Sequence, residues 1–168
     1  MVKKILSPKP SSTIQGLREI GYDLNSAIAD IIDNSITAGS RNIWIDFHWI
    51  EGDSYISILD DGSGMDEEEL ESAMTPGFKN PNDKRENNDL GRFSLGLKTA
   101  SWSQSDQLFV WSKKNRIVNF LGWDIGKVLS ENEWVAETKE ATYDDPKKLK
   151  KLNNGTLIIW AKLKSIRE

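Results

Sequence analysis

Three groups of residues in this chain could do chemistry by type and spacing. Asp30, Asp33, Asn34 and Thr37 recur at i, i+3, i+4 spacing, beside a face on which Leu24, Ala27, Ile28, Ile31, Ile32 and Ser35 make an apolar stripe. On a helix that pattern lets a carboxylate and a carboxamide one turn apart point into the same cavity. Asp60-Asp61-Gly62-Ser63-Gly64-Met65 follows the alternating run Tyr55 to Leu59. A carboxylate ends that strand, and two glycines let the backbone turn tightly and come close to a ligand. The stretch from Gly91 to Ala100 opens with glycines and then takes up helical spacing. A glycine turn feeding a helix N-terminus offers free N–H groups and partial positive charge, which suits phosphate. In outline these are the parts of a site for a nucleotide and magnesium.

The elements that must position these groups follow from the pattern around them. A helix is expected from about Ser12 to Ile20, ended by Gly21. Asp23 can cap the long helix that follows, which runs to about Ala38 with Gly39 as its C′ stop. Ile43 to Trp49 alternates like a half-buried strand, Glu51-Gly52-Asp53 is a turn, and Tyr55 to Leu59 is the partner strand. Asp66 can cap a short acidic helix through Met74. Pro76 to Asp89 is almost entirely polar, a length of loop that suggests a functional lid over residues of about 76–95. Two strands are expected at Leu108 to Ser112 and Arg116 to Leu121, with Lys113-Lys114-Asn115 as their turn. Residues 122–145 read as irregular and peripheral. Asp145-Pro146 starts a basic helix, Asn153-Asn154-Gly155 is a turn, and Thr156 to Leu163 is a final strand.

At 168 residues the chain reads as one domain over 13–168, preceded by a polar, proline-containing arm over 1–12. The net charge of −4 argues against a nucleic-acid-coating surface. Without cysteine there are no disulfides and no thiolate metal site, which fits a reducing cytoplasm. No apolar run has membrane-spanning length and no signal peptide opens the chain. The lone His48 lies among strand residues and reads as structural or surface. Trp44, Trp111 and Trp160, also in strand-like runs, read as core or sheet-face packing.

Four boxes in order carry a resemblance: Asp30-Ile31-Ile32-Asp33-Asn34-Ser35, Asp60-Asp61-Gly62-Ser63-Gly64-Met65, Gly91-Arg92-Phe93-Ser94-Leu95-Gly96, and Gly155-Thr156 opening a strand. From about 14 to 160 the chain resembles the GHKL ATPases, and within them the MORC-type ATPases and their bacterial relatives. The resemblance implies the Bergerat fold, an α/β (α+β) sandwich with helices on one face of a mixed, largely antiparallel sheet. It also implies ATP and Mg²⁺ as ligands.

The roles it implies are these. Asp60 accepts from the adenine amino group. Gly62 and Gly64 let the base approach, and Met65 lines its pocket. Thr156 joins the adenine-side network, and Ala38 belongs to the same nucleotide-binding set. Asn34 is the magnesium ligand, with Asp33 beside it in the second shell or on the adenine side. Asp30 stands where the family carries glutamate as the base that activates water, and its reach is one methylene shorter. The Gly91, Arg92, Phe93, Ser94, Leu95, Gly96 and Leu97 backbone wraps the phosphates, with Ser94 in place of a usual glycine. Lys98, one turn further, can pair with phosphate oxygens.

Two readings of function remain open at this stage. One is an ATP-hydrolysing domain of a larger protein that forms an ATP-dependent homodimer. The other is a nucleotide-binding conformational module with little or no hydrolysis, which the aspartate at position 30 keeps open. A histidine-kinase-type catalytic domain is the weaker third. Family members carry a following domain that supplies a lysine or arginine to the γ-phosphate. The chain reaches Glu168 just past its last strand, so that domain is expected to be missing and turnover in isolation to be slow.

Overall fold

A computed structural model of the chain describes residues 8–19, 22–77 and 93–164, the side chains of 93–95 excepted. The first helix, α1, spans Pro10–Arg18. It starts earlier than expected because Pro10 takes the first helical position, where its fixed φ and missing N–H cost nothing. The second, α2, spans Leu24–Thr37, and the Asp23 carboxylate accepts from the Ser26 N–H at 2.7 Å. Gly39, at φ +77°, ends it as expected. Strands β1 (Ile43–His48) and β2 (Tyr55–Asp60) follow. Helix α3, Glu67–Met74, opens with a reciprocal cap: Asp66 accepts from the Glu69 N–H, and Glu69 accepts from the Asp66 N–H. Helix α4 is Phe93–Gln104. Strands β3 (Ser105–Lys114) and β4 (Ile117–Asp124), helices α5 (Ile125–Glu131) and α6 (Pro146–Lys151), and strand β5 (Gly155–Leu163) complete the chain.

The sheet order is β1-β2-β5-β3-β4, and every pairing is antiparallel. The last strand in the chain therefore sits in the middle of the sheet. Alternate residues divide between its faces. Ile56, Ile58, Leu108, Val110, Ile158 and Trp160 pack under α1 to α5, against Ile14, Ala27, Ile31, Leu70, Ala100 and Val128. Tyr55, Leu59, Phe109, Trp111, Leu157 and Ile159 make a second core with Leu149 of α6. This is the Bergerat architecture: an open antiparallel sheet with five helices layered on one face and the short α6 on the other. Among the described residues no helix is long and apolar enough to cross a membrane.

Three expectations need correcting. The β3–β4 turn is Asn115-Arg116, both at positive φ, and not Lys113 to Asn115. Two such residues match the right-handed twist of the flanking strands, which lets both strands run longer than expected. Residues 122–145 are not peripheral. Trp123, Ile125 and Val128 are in the core, and α5 was hidden by having only seven residues. Trp44 is 42% exposed, because β1 is an edge strand, whereas Trp111 and Trp160 are fully buried. Asp145 is buried at the start of α6, where it accepts from the Tyr55 hydroxyl at 2.9 Å and the Ser57 hydroxyl at 3.0 Å. Burial raises its pKa, but these bonds, with His48 and Lys148 nearby, hold it below the ordinary value. His48 stacks on Tyr55 at 4.1 Å and serves this anchor.

Candidate nucleotide-binding site

Register brings the polar residues of three strands into one row. Asp60 of β2 lies opposite Thr156 of β5, and Thr156 lies opposite Ser112 of β3. Residues directly opposite one another share a sheet face, here the face under the helices. Asp60 and Thr156 of this row form one wall of a cavity whose empty volume, including its open mouth, is about 470 Å³, and Ser112 lies behind Thr156 off the lining. Helix α2 contributes Ile31, Asn34, Ser35 and Ala38 to the lining. The loop after β2 contributes Ser63, Gly64 and Met65, and Ala73, Leu97 and Ile158 complete it.

Asp60 is 5% exposed. Its Oδ1 accepts from the Gly62 N–H at 2.9 Å and the Thr156 N–H at 3.2 Å; its Oδ2 accepts from the Ser35 hydroxyl at 2.9 Å. Burial raises its pKa, and these three donors, with the nearby Ser40 hydroxyl, work in the opposite direction. A carboxylate oxygen takes two donors, so Oδ1 is filled while Oδ2 has room for one more. That oxygen can accept one N–H or O–H donor from a ligand.

Gly64 has a role the spacing alone did not reveal. It sits at φ +66°, and a Cβ there would lie 1.9 Å from the Lys113 carbonyl oxygen. A Cβ at Gly155 would lie 2.1 Å from the carbonyl oxygen of Asp60. Glycine is required at both positions so that the backbones of the β2 loop, β3 and β5 can close on one another. Gly62 lies against Ala38 and Ser40 and contributes its N–H to Asp60.

Of the residues the sequence pointed to, Asn34, Ala38, Asp60, Gly64, Met65, Leu97 and Thr156 meet at the cavity. Asp30 is half-buried one turn from Asn34. Its Oδ2 faces α4, 3.9 Å from where a Cβ on Gly96 would stand. The Tyr22 phenol is held above its ordinary pKa first by a hydrogen bond to the Asp30 carboxylate and then by burial. Asp33 is exposed and lies off the cavity lining. Lys98 is wholly buried and turned toward α3, donating to the Ala73 carbonyl at 2.8 Å and the Thr75 carbonyl at 2.7 Å. Burial pulls its pKa down to about 8. Its ammonium therefore caps the carbonyl end of an acidic helix that has no basic residue in its own last turn. Gly91, Arg92 and the lid expected around 76–95 fall mainly outside the described residues, as do the side chains of Phe93, Ser94 and Leu95.

Sequence reasoning missed two residues. Ser35 is placed in the buried stripe, where it lies, but without a foreseen partner, although a hydroxyl at a buried stripe position is itself a signal that a polar group lies across from it. Ser112 is fully buried, accepts from the Met65 N–H at 2.8 Å, and lies 2.9 Å from the Thr156 hydroxyl. Only the strand order could have revealed it.

Asn34, on the cavity lining, offers a side-chain carbonyl oxygen, a donor that suits a hard cation such as Mg²⁺ that keeps several of its waters.

The model of the histidine kinase-, DNA gyrase B- and HSP90-like ATPases matches residues 22–156. The Caenorhabditis elegans protein "ATPase morc-1" is 33% identical over 96 residues, 57% of this chain and 11% of that protein. The DNA mismatch repair protein MutL of Clostridium perfringens is 40% identical over 52 residues, 31% of this chain and 8% of its own length. The chain thus spans about a tenth of the curated relatives it matches. A family match over 22–156 takes in every residue lining the cavity except Ile158, and the chain belongs to the histidine kinase-, DNA gyrase B- and HSP90-like (GHKL) ATPases.

Proposed function

We propose that the domain binds ATP with Mg²⁺ and hydrolyses it, as the ATPase part of a larger protein that dimerises when ATP is bound. The observation that carries this reading is Asp60, a buried carboxylate at a cavity wall with one acceptor site open toward the ligand. Adenine offers an amino group to such an oxygen, whereas guanine offers a carbonyl there. Ile31, Met65, Leu97 and Ile158 give the faces of the base an apolar slot. The N-terminus of α4 is the phosphate end. Asn34 would hold Mg²⁺, and the bound ion would neutralise phosphate charge. Asp30, kept in place by Tyr22, takes a proton from the attacking water.

A second reading, nucleotide binding with little turnover, is favoured by the shorter reach of aspartate at position 30. A misplacement of about 1 Å can cost roughly 100-fold in rate.

The test is calorimetry with ATP and GTP on the wild type and Asp60→Asn. An asparagine keeps its oxygen toward the Gly62 and Thr156 N–H donors and turns its NH₂ to the position of Oδ2. Two donors then face each other across the base. ATP affinity should fall by on the order of 3 kcal/mol, more than 100-fold. Equal affinity for ATP and GTP, or an unaffected variant, overturns the adenine assignment.

A further inference from the structure

The cavity wall holds a second polar device beside Asp60. Ser112 lies on β3, is 0% exposed, and touches three groups. Its oxygen accepts from the Met65 N–H at 2.8 Å, lies 2.9 Å from the Thr156 hydroxyl, where either group can donate, and is placed to donate to the Gly155 carbonyl over a longer 3.3 Å. A serine hydroxyl has one proton and two lone pairs. With one lone pair filled by Met65, Ser112 can give its proton to Thr156 over the shorter of its two remaining contacts. Thr156 lines the cavity, and its own backbone N–H is committed to Asp60. Once its oxygen accepts from Ser112, its hydroxyl proton is free to face the ligand.

We propose that Ser112 is a positioning residue for base recognition, holding the Thr156 hydroxyl so that it donates into the cavity beside the Asp60 acceptor. This deepens the adenine-nucleotide reading and rests on it. The resulting wall presents an acceptor next to a donor, in a row fixed by the register Asp60–Thr156–Ser112. The matching ligand edge carries an amino group next to an unprotonated ring nitrogen, which is the edge of adenine. Guanine and hypoxanthine present a carbonyl next to a protonated ring nitrogen, the reverse of both. Two contacts of opposite sense therefore discriminate, and the second depends on a residue that touches no ligand. A buried hydroxyl chain of this kind also polarises its end member, which strengthens the outward bond.

A chemical double-mutant cycle tests this. Calorimetry compares ADP with 1-deaza-ADP, in which ring nitrogen N1 is replaced by C–H, on the wild type, Ser112→Ala and Thr156→Val. The wild type should bind 1-deaza-ADP on the order of five-fold more weakly than ADP. In Thr156→Val the penalty should vanish. In Ser112→Ala it should fall below about two-fold, even if ADP itself binds more weakly. A purely structural serine would weaken both ligands equally and leave the ratio at its wild-type value, and that result overturns the proposal. Ser112→Cys, with similar shape and a weak donor, replaces Ser112→Ala if the latter does not fold, and should also reduce the ratio. A wild type that binds no ADP overturns the nucleotide reading. A wild type that binds ADP with no 1-deaza penalty overturns only the role given to Thr156 and Ser112.

Discussion

Replacing Lys98 by methionine should remove a pH dependence from the stability of this domain. Lys98 is wholly buried, and burial lowers its pKa from 10.5 to about 8. In the unfolded chain it returns to the ordinary value. Between about pH 8 and 10.5 the unfolded state therefore binds more protons than the folded one, and stability rises with pH across that window. The deficit from burying the charge is fully present below pH 8 and is relieved as the pH approaches 10.5. The separation of the two values corresponds to roughly 3 kcal/mol. Methionine cannot titrate, but it leaves the Ala73 and Thr75 carbonyls without their donor, at about 1–3 kcal/mol each. Near pH 7 the gain and the loss are similar in size, so a single measurement there decides nothing. The informative quantity is the wild-type minus variant difference from urea unfolding at pH 7, 8.5 and 10. It should climb by roughly 2–3 kcal/mol from pH 7 to pH 10, while contributions from tyrosines and the other lysines cancel. Parallel pH profiles for the two proteins would refute the reasoning.

Two further outcomes are expected. Gly64→Ala should lose more than about 3 kcal/mol of stability, because its Cβ would lie 1.9 Å from the Lys113 carbonyl oxygen on a backbone at φ +66°; thermal unfolding close to that of the wild type contradicts this. Asp30→Ala should lower any ATP turnover by at least about 100-fold while leaving ATP affinity within about two-fold, since a water-activating base adds little to ground-state binding. A steady-state rate equal to wild type would remove Asp30 as the base and favour the non-hydrolysing reading.

Local signals were legible in the sequence wherever a side chain acts on its own neighbourhood. Asp23 and Asp66 cap the helices that their positions predicted, and Gly39 ends α2. Asn34, Asp60 and Thr156 converge because each belongs to a short box whose spacing carries the information. What stayed hidden depends on which strands become neighbours. β5 comes last in the chain yet inserts between β2 and β3, and only that insertion sets Ser112 beside Thr156. Lys98 illustrates the same limit. A lysine one turn past a glycine box reads as a phosphate partner, but α3 ends with carbonyls that need a donor, and the packing of α4 on α3 gives it to them. Gly64 was legible as a necessary glycine but not for its main reason, which is contact between protein backbones.

The two halves of the site are assembled from different parts of the fold. The base half rests on the strand row Asp60–Thr156–Ser112, in which nearly every polar atom already has a fixed partner. Such a wall needs little reordering when a base arrives, and preorganisation of this kind is what turns contacts into affinity. The half to which we assign hydrolysis rests instead on α2 and α4, where Asp30 faces Gly96 and lies beside Tyr22. Asp30 lies on α2 and Asp60 on β2, and Ser35 is the α2 residue that bonds to Asp60. Shortening the acid at position 30 by one methylene changes the reach toward water and leaves the Ser35–Asp60 bond untouched. On the proposed function, a change at position 30 should therefore alter turnover while recognition of the base stays as it is.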